Sequence, residues 1–232
     1  MIDIKKSFLS VRKIGKIDII KEKKMKTSVS SLPFENIIEN LKMIENSGTD
    51  FLHLDVMNST MTKDSTFDYK TIEKINSKTT LFLDCHLMIT NPNVQDYINS
   101  GVNLLTIHYE AFKNKEELKN CLRIIRKSKT LVGLSILTDT NIKEIEDLKD
   151  LFDVLLIMSV KIGAYGQKFI EKAFDKISLA REKFPDKLIE VDGGVNLENI
   201  DKLKQLGVDI VVLGGSFYKN ENKNEFISHI KK

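Results

Sequence analysis

Phe51-Leu52-His53-Leu54-Asp55-Val56-Met57-Asn58 is the stretch from which the fold is read. Apolar residues enclose a histidine and an aspartate two positions apart. In a strand, residues i and i+2 share a face. His53, Asp55 and Met57 therefore form one row, and Leu52, Leu54 and Val56 form the opposite, apolar row. An ionisable pair in an apolar strand is costly to bury unless a metal, partner or substrate compensates it. Taken alone, the pair reads equally well as a His and an Asp that hydrogen-bond each other in a core.

The segments around it repeat the same design. From Met25 the chain alternates short strand candidates with helical ones. Strands are expected at 26–30, 51–56, 80–84, 104–108, 131–136, 154–158, 188–191 and 210–213. In the first helix Phe34, Ile37, Ile38, Leu41 and Ile44 fall at helical spacing after Pro33, and Gly48 ends it. Further helices are expected at 69–75, 93–100, 115–126, around 142–148, and at 169–183, 197–206 and 221–230. Eight strand–helix units in 232 residues predict an α/β protein with a closed (β/α)8 TIM barrel. An open doubly wound sheet is the alternative, but no GxGxxG follows the first strand.

The totals set further bounds. Hydrophobic residues are 41% and charged residues 30%, enough for a core and a solvated surface, so the composition is not that of a disordered chain. Lys+Arg 36 against Asp+Glu 33 is near balance and gives no argument for nucleic acid. No apolar run approaches the roughly 18 residues of a membrane span. Cys85 and Cys121 form no CxxC pair and read as reduced thiols of a cytoplasmic protein. Residues 1–24 are rich in lysine and lack a signal-peptide pattern; they read as a flexible or loosely packed basic extension, with Met25 an alternative start. Residues 25–232 then form one barrel domain.

In such a barrel, sites sit at the C-terminal ends of the strands. His53, Asp55 and Met57 lie at one such end. Asp84, His86 and Met88 share a face at another, Met158 ends a third, and Asp192 is followed by Gly193-Gly194 at a fourth. If these ends share one mouth, His53, Asp55, His86 and Asp192 converge. Two imidazoles and two carboxylates suit one divalent transition metal: zinc, iron(II) or manganese. Gly193-Gly194 and Gly214-Gly215 follow the last two strands, where barrels often bind phosphate through backbone N–H groups. Gly163, Gly166 and Gln167 add a third loop to that rim. The bland reading of each methionine is core filling, and that of His108 is a rim or core histidine.

These residues carry a resemblance. His53-Leu54-Asp55-Val56-Met57 resembles the HxDVM motif of ribulose-phosphate 3-epimerases. Asp84-Cys85-His86-Leu87-Met88 with Asn91-Pro92 is similar to their DxHLM…NP segment, and His108-Tyr109-Glu110-Ala111 to their HxEA strand. Met158 through Phe169 is similar to their glycine-rich loop after strand six, and Val191-Asp192-Gly193-Gly194-Val195-Asn196 to their VDGGIN. The match runs over roughly residues 26–219 in family order. It implies a barrel of the ribulose-phosphate binding type and a metal held by His53, Asp55, His86 and Asp192. Asp55 and Asp192 would be the acid and base, acting through a metal-stabilised cis-enediolate shielded by the polarisable Met57, Met88 and Met158. Ser31 and His86 join the substrate-binding positions by the same resemblance. It further implies a phosphosugar substrate and a homo-oligomer, with no nucleic-acid or membrane partner.

The sequence departs from the family pattern at 58–64, 137–140 and 161–165, loops that shape the pocket. The expected activity is 3-epimerisation of D-ribulose 5-phosphate to D-xylulose 5-phosphate. Two alternatives stand beside it: a ketohexose-6-phosphate 3-epimerase, suggested by Asp84-Cys85-His86, and a phosphosugar-binding barrel without catalysis.

Overall fold

The computed structural model describes residues 24–31, 37–163 and 166–232. The expected basic extension except Lys24, the helix-opening Pro33 and Phe34, and Ala164 and Tyr165 lie outside the described residues. Eight parallel strands close into a barrel in sequence order: β1 (Lys26–Ser30), β2 (Phe51–Met57), β3 (Phe82–Met88), β4 (Leu104–His108), β5 (Leu131–Ile136), β6 (Val154–Met158), β7 (Leu188–Asp192) and β8 (Ile210–Leu213). β8 returns to pair with β1, which leaves no free edge.

The period-2 pattern divides every strand between two environments. Outward residues such as Leu52, Leu54, Val56, Leu83, Cys85 and Leu87 pack with Ile37, Leu41, Ile44, Ile72 and Ile75 of the covering helices in one core. Burying a side chain of this size stabilises by about 1.5–3 kcal/mol. The first residues of β2 to β8 point inward and close the barrel's N-terminal end: Phe51, Phe82, Leu104, Leu131, Val154, Leu188 and Ile210 form a separate apolar floor. Phe51 and Phe82 meet there with ring centroids 4.5 Å apart. Polar side chains begin two residues further along, with His53, Asp84, Thr106 and Glu190, all fully buried. The next step up the same faces brings Asp55, His86, His108, Met158 and Asp192. The interior thus runs from dry floor to ionisable mouth.

Several bounds differ from the sequence expectation for physical reasons. β3 begins at Phe82 and runs through Met88, rather than spanning 80–84, so His86 and Met88 are strand residues. Glu45 accepts hydrogen bonds from the Thr79 hydroxyl and the Thr80 N–H, which holds that segment in a cap ahead of the strand. Ile38 is 44% exposed, because the buried stripe of the helix Ile37–Asn46 is Ile37, Leu41 and Ile44. The segment expected as a helix at 169–183 is helical only over Lys172–Lys183, since Ile170 N–H donates to Ser159 O and ties the preceding backbone to the rim. Ile142–Leu148 is a 3₁₀ helix, opened by a capping box between Asn141 and Glu144. A short helix, Gly215–Lys219, follows β8 directly.

Candidate active site and metal centre

His53 and Asp55 reach the mouth from β2, His86 from β3 and Asp192 from the end of β7. Register makes this meeting possible: Asp55 pairs with His86 across β2 and β3, and Met57 with Met88. Donor atoms of the four lie within 4.8 Å of one another. His53 Nε2 is 3.2 Å from Asp55 Oδ1 and 4.0 Å from Asp192 Oδ2. His86 Nδ1 is 3.3 Å from Asp55 Oδ1 and 3.8 Å from Asp192 Oδ2. His53 Nε2 is fully buried and has no hydrogen-bond partner among the described residues. A buried imidazole nitrogen without a hydrogen bond, facing two carboxylates, is what a cation would satisfy, and the 2-His, 2-carboxylate donor set suits a divalent transition metal.

Buried acids support the cluster from below. His53 Nδ1 lies 2.7 Å from Asp84 Oδ2, which also accepts from the Ser28 hydroxyl at 2.7 Å. This bond fixes the ring's orientation and turns Nε2 toward the mouth, where it can hold a proton or, once deprotonated, a cation. Glu190, two residues before Asp192, is fully buried beside Asp84 and His53. Burial, then the charge of Asp84, raises its carboxyl well above the usual range. Among the described residues neither of its carboxyl oxygens has a hydrogen-bond partner, and the same burial and charge favour its neutral form. The sequence sets Asp84 on the face of His86 without giving it a role, and it marks Glu190 only by its place two residues before Asp192.

The two aspartates of the mouth are driven apart in acidity. Burial raises Asp55, but the charge of His53, 3.2 Å away, outweighs it and holds the carboxyl below its usual range. Burial, and then the charge of Asp55, pushes Asp192 up to about 6. Burial opposes charge on His53 as well, yet Asp84 and Asp55 raise its pKa well above 6.5. Without a cation, protons hold the place of positive charge here.

A cavity of about 690 Å³ opens above the cluster. Asp55, Asp192, Met57, Met88 and Met158 line its base, and Gly163, Gly166, Gln167, Gly193, Gly194, Gly214 and Gly215 line its rim. Gly194 has φ +65°, and a Cβ there would lie 2.5 Å from the Phe169 backbone nitrogen, so only glycine fits. Lys161, Lys202, Lys219 and Ser216 also line the cavity. Of the substrate positions singled out in the sequence, two do not line it. His86 lies beneath the base. Ser31 is buried, its hydroxyl without a partner among the described residues, and its neighbour Ser30 lines the cavity instead, donating to Asp55 Oδ2 at 3.4 Å. The loop at 58–64, where the sequence leaves the family pattern, is ordered by its own polar residues: Thr60 Oγ1 donates to Asn58 Oδ1 and accepts from Thr90 N–H beyond β3.

His108 is a core histidine whose Nε2 lies 2.7 Å from His86 Nε2. Burial is the largest influence on it and lowers its pKa to about 4, so the ring is neutral near pH 7.

The family model for the ribulose-phosphate 3-epimerase family matches residues 24–218. The chain belongs to the ribulose-phosphate 3-epimerase family. As a member it is an enzyme, an epimerase of the isomerase class acting on carbohydrate phosphates. The ribulose-phosphate 3-epimerase of Chlamydia muridarum is 36% identical over 189 residues, which is 78% of this chain and 82% of that protein. The Bacillus subtilis enzyme of the same name is 32% identical over 215 residues, 90% of this chain and 98% of its own. Among solved structures, 3-hexulose-6-phosphate synthase from Salmonella typhimurium superposes with a TM-score of 0.70 at 15% identity, covering 89% of this chain and 96% of its own. At that identity the likeness speaks for the shared barrel alone.

Proposed function

We propose that this epimerase inverts C3 of D-ribulose 5-phosphate to give D-xylulose 5-phosphate, using Asp55 and Asp192 as acid and base at a divalent metal site. The observation that carries the reading is the convergence of His53, Asp55, His86 and Asp192 at the base of a cavity whose rim is glycine-lined. Inversion beside a ketone needs a proton taken from one face and another returned to the opposite face, and two carboxylates are the simplest pair for that. A bound divalent cation, zinc, iron(II) or manganese, would offset the negative charge that develops on the substrate oxygens.

The chain's own residues supply the remaining parts. With a cation bound, His53, held from behind by Asp84, would present its Nε2 lone pair rather than an N–H group to the cluster. Met57, Met88 and Met158 form an apolar base at 2–3% exposure, which keeps water from an electron-rich intermediate without offering an acidic proton. Backbone N–H groups around Gly193-Gly194 and Gly214-Gly215 would take the phosphate, with Lys202 and Lys219 supplying positive charge at the same wall. Cys85, which suggested a hexulose phosphate, belongs to the packing between strands and helices and does not line the cavity. It therefore carries no preference for the longer sugar.

A panel of phosphoketoses with purified, metal-loaded protein tests the substrate. Turnover of ribulose 5-phosphate should exceed that of allulose 6-phosphate. The reverse order would assign the chain to a hexulose phosphate, and no turnover of either would leave a binding barrel.

A further inference from the structure

Behind His86 stands a relay that the roles above do not use. His86 Nε2 faces His108 Nε2 at 2.7 Å, and His108 Nδ1 lies 3.2 Å from Glu110 Oε2. Both imidazoles are fully buried, with no water-facing edge. The other Glu110 oxygen, Oε1, accepts the Leu137 backbone N–H at 2.9 Å and the Thr140 hydroxyl. Two ring nitrogens in contact need one proton between them, so one donates and the other accepts.

We propose that His108 and Glu110 are positioning residues that set the tautomer of His86, so that its Nδ1 lone pair faces the metal site. The proposal rests on the metal reading given above. An ionised carboxylate only accepts, so Glu110 takes the Nδ1–H of His108. His108 Nε2 is then bare and must accept from His86 Nε2–H. With its proton held on Nε2, His86 keeps Nδ1 for the cation. His53 is set by a direct bond to Asp84, whereas His86 is set through an intervening imidazole. The relay also ties the metal site to the loop after β5, since the same carboxylate anchors Leu137 and Thr140.

The geometry makes an unusually sharp demand of one isosteric change. In Glu110→Gln the amide oxygen must face Leu137, because a backbone N–H cannot change from donor to acceptor. The amide NH₂ then faces His108 Nδ1. His108 must flip tautomer, accept at Nδ1 and donate from Nε2. His86 Nε2 becomes the acceptor, and its proton moves to Nδ1, the nitrogen meant for the cation and the one beside Asp55.

The test uses the full-length protein, stripped of metal, with two readouts. Histidine ¹⁵N NMR of the metal-free protein reports which nitrogen of His86 carries the proton across from His108. The wild type should carry it on Nε2 and Glu110→Gln should not. Titration with Co²⁺ then reports affinity. Glu110→Gln should bind at least about tenfold more weakly, the range known for outer partners of metal-bound histidines. His108→Gln, whose amide oxygen can still accept from His86 Nε2–H, should stay within a few-fold of wild type, while His108→Leu should lose affinity as Glu110→Gln does. A Glu110→Gln protein with wild-type His86 protonation and Co²⁺ affinity would overturn the relay. Should wild type itself fail to bind Co²⁺, the metal reading falls, and the His86 proton position alone decides for or against the relay.

Discussion

Asp192 concentrates the energetic tension of the site. Its carboxyl titrates near 6 in the metal-free fold against 3.8 for an ordinary aspartate, through burial and then the charge of Asp55. A group whose pKa is raised on folding contributes stability that is fully present below its unfolded value and is lost as pH rises through the folded value. The metal-free protein should therefore lose stability between about pH 4 and 6 on account of Asp192. His53, also raised, extends the loss to higher pH. Asp192→Asn removes one charge of the repelling pair, so urea melts of the metal-free variant should show a flatter slope over that window. Above pH 6 the variant should be more stable than wild type. An unchanged slope would show that Asp192 does not titrate in that window. Saturating divalent metal should reverse the order, because the cation binds the wild-type carboxylate and stabilises by mass action.

At the level of single elements, pattern and structure agree most closely where the chain alternates between core and barrel interior. β1, β4, β5, β6 and β8 have the bounds that alternation and turn residues predict. β3 does not, because Glu45, 34 residues away from Thr79, caps the segment before it, and no local pattern encodes that contact. The four-residue cluster was legible because each member stands at a strand end among apolar neighbours. Its supporting residues were also written in the chain, in the spacing already read at His53 and Asp55: Asp84 and His86, His108 and Glu110, and Glu190 and Asp192 are likewise ionisable pairs two residues apart. What the sequence could not supply is which side chains from different strands meet, since that depends on the stagger of the closed barrel. The rim depends equally on tertiary fit. Gly194→Ala would force a Cβ against Phe169 at a positive φ. Overpacking of this kind costs about 1–3 kcal/mol, and the displaced rim should raise KM for the phosphosugar more than it lowers kcat. Steady-state kinetics with a thermal melt would read both effects, and a wild-type KM would remove the rim from substrate binding.

Across the whole molecule, stability and chemistry occupy opposite ends of one barrel. The floor of Phe51, Phe82 and their five partners is dry and apolar, while the mouth holds titratable groups whose donor atoms could hold a cation. Phe82→Ala should cost about 3–5 kcal/mol in urea unfolding while leaving the activity of the folded fraction near wild type. A strong loss of activity per folded molecule would mean that floor and mouth are coupled. The central claim concerns the mouth, and proton exchange there tests it most directly. Metal-loaded wild type in D₂O, given ribulose 5-phosphate, should release xylulose 5-phosphate carrying one solvent deuteron at C3. Asp192→Asn should do so at least about a hundredfold more slowly, the lower range for a general acid or base. Absence of C3 deuterium from wild-type product, or an undiminished rate in Asp192→Asn, would contradict the account.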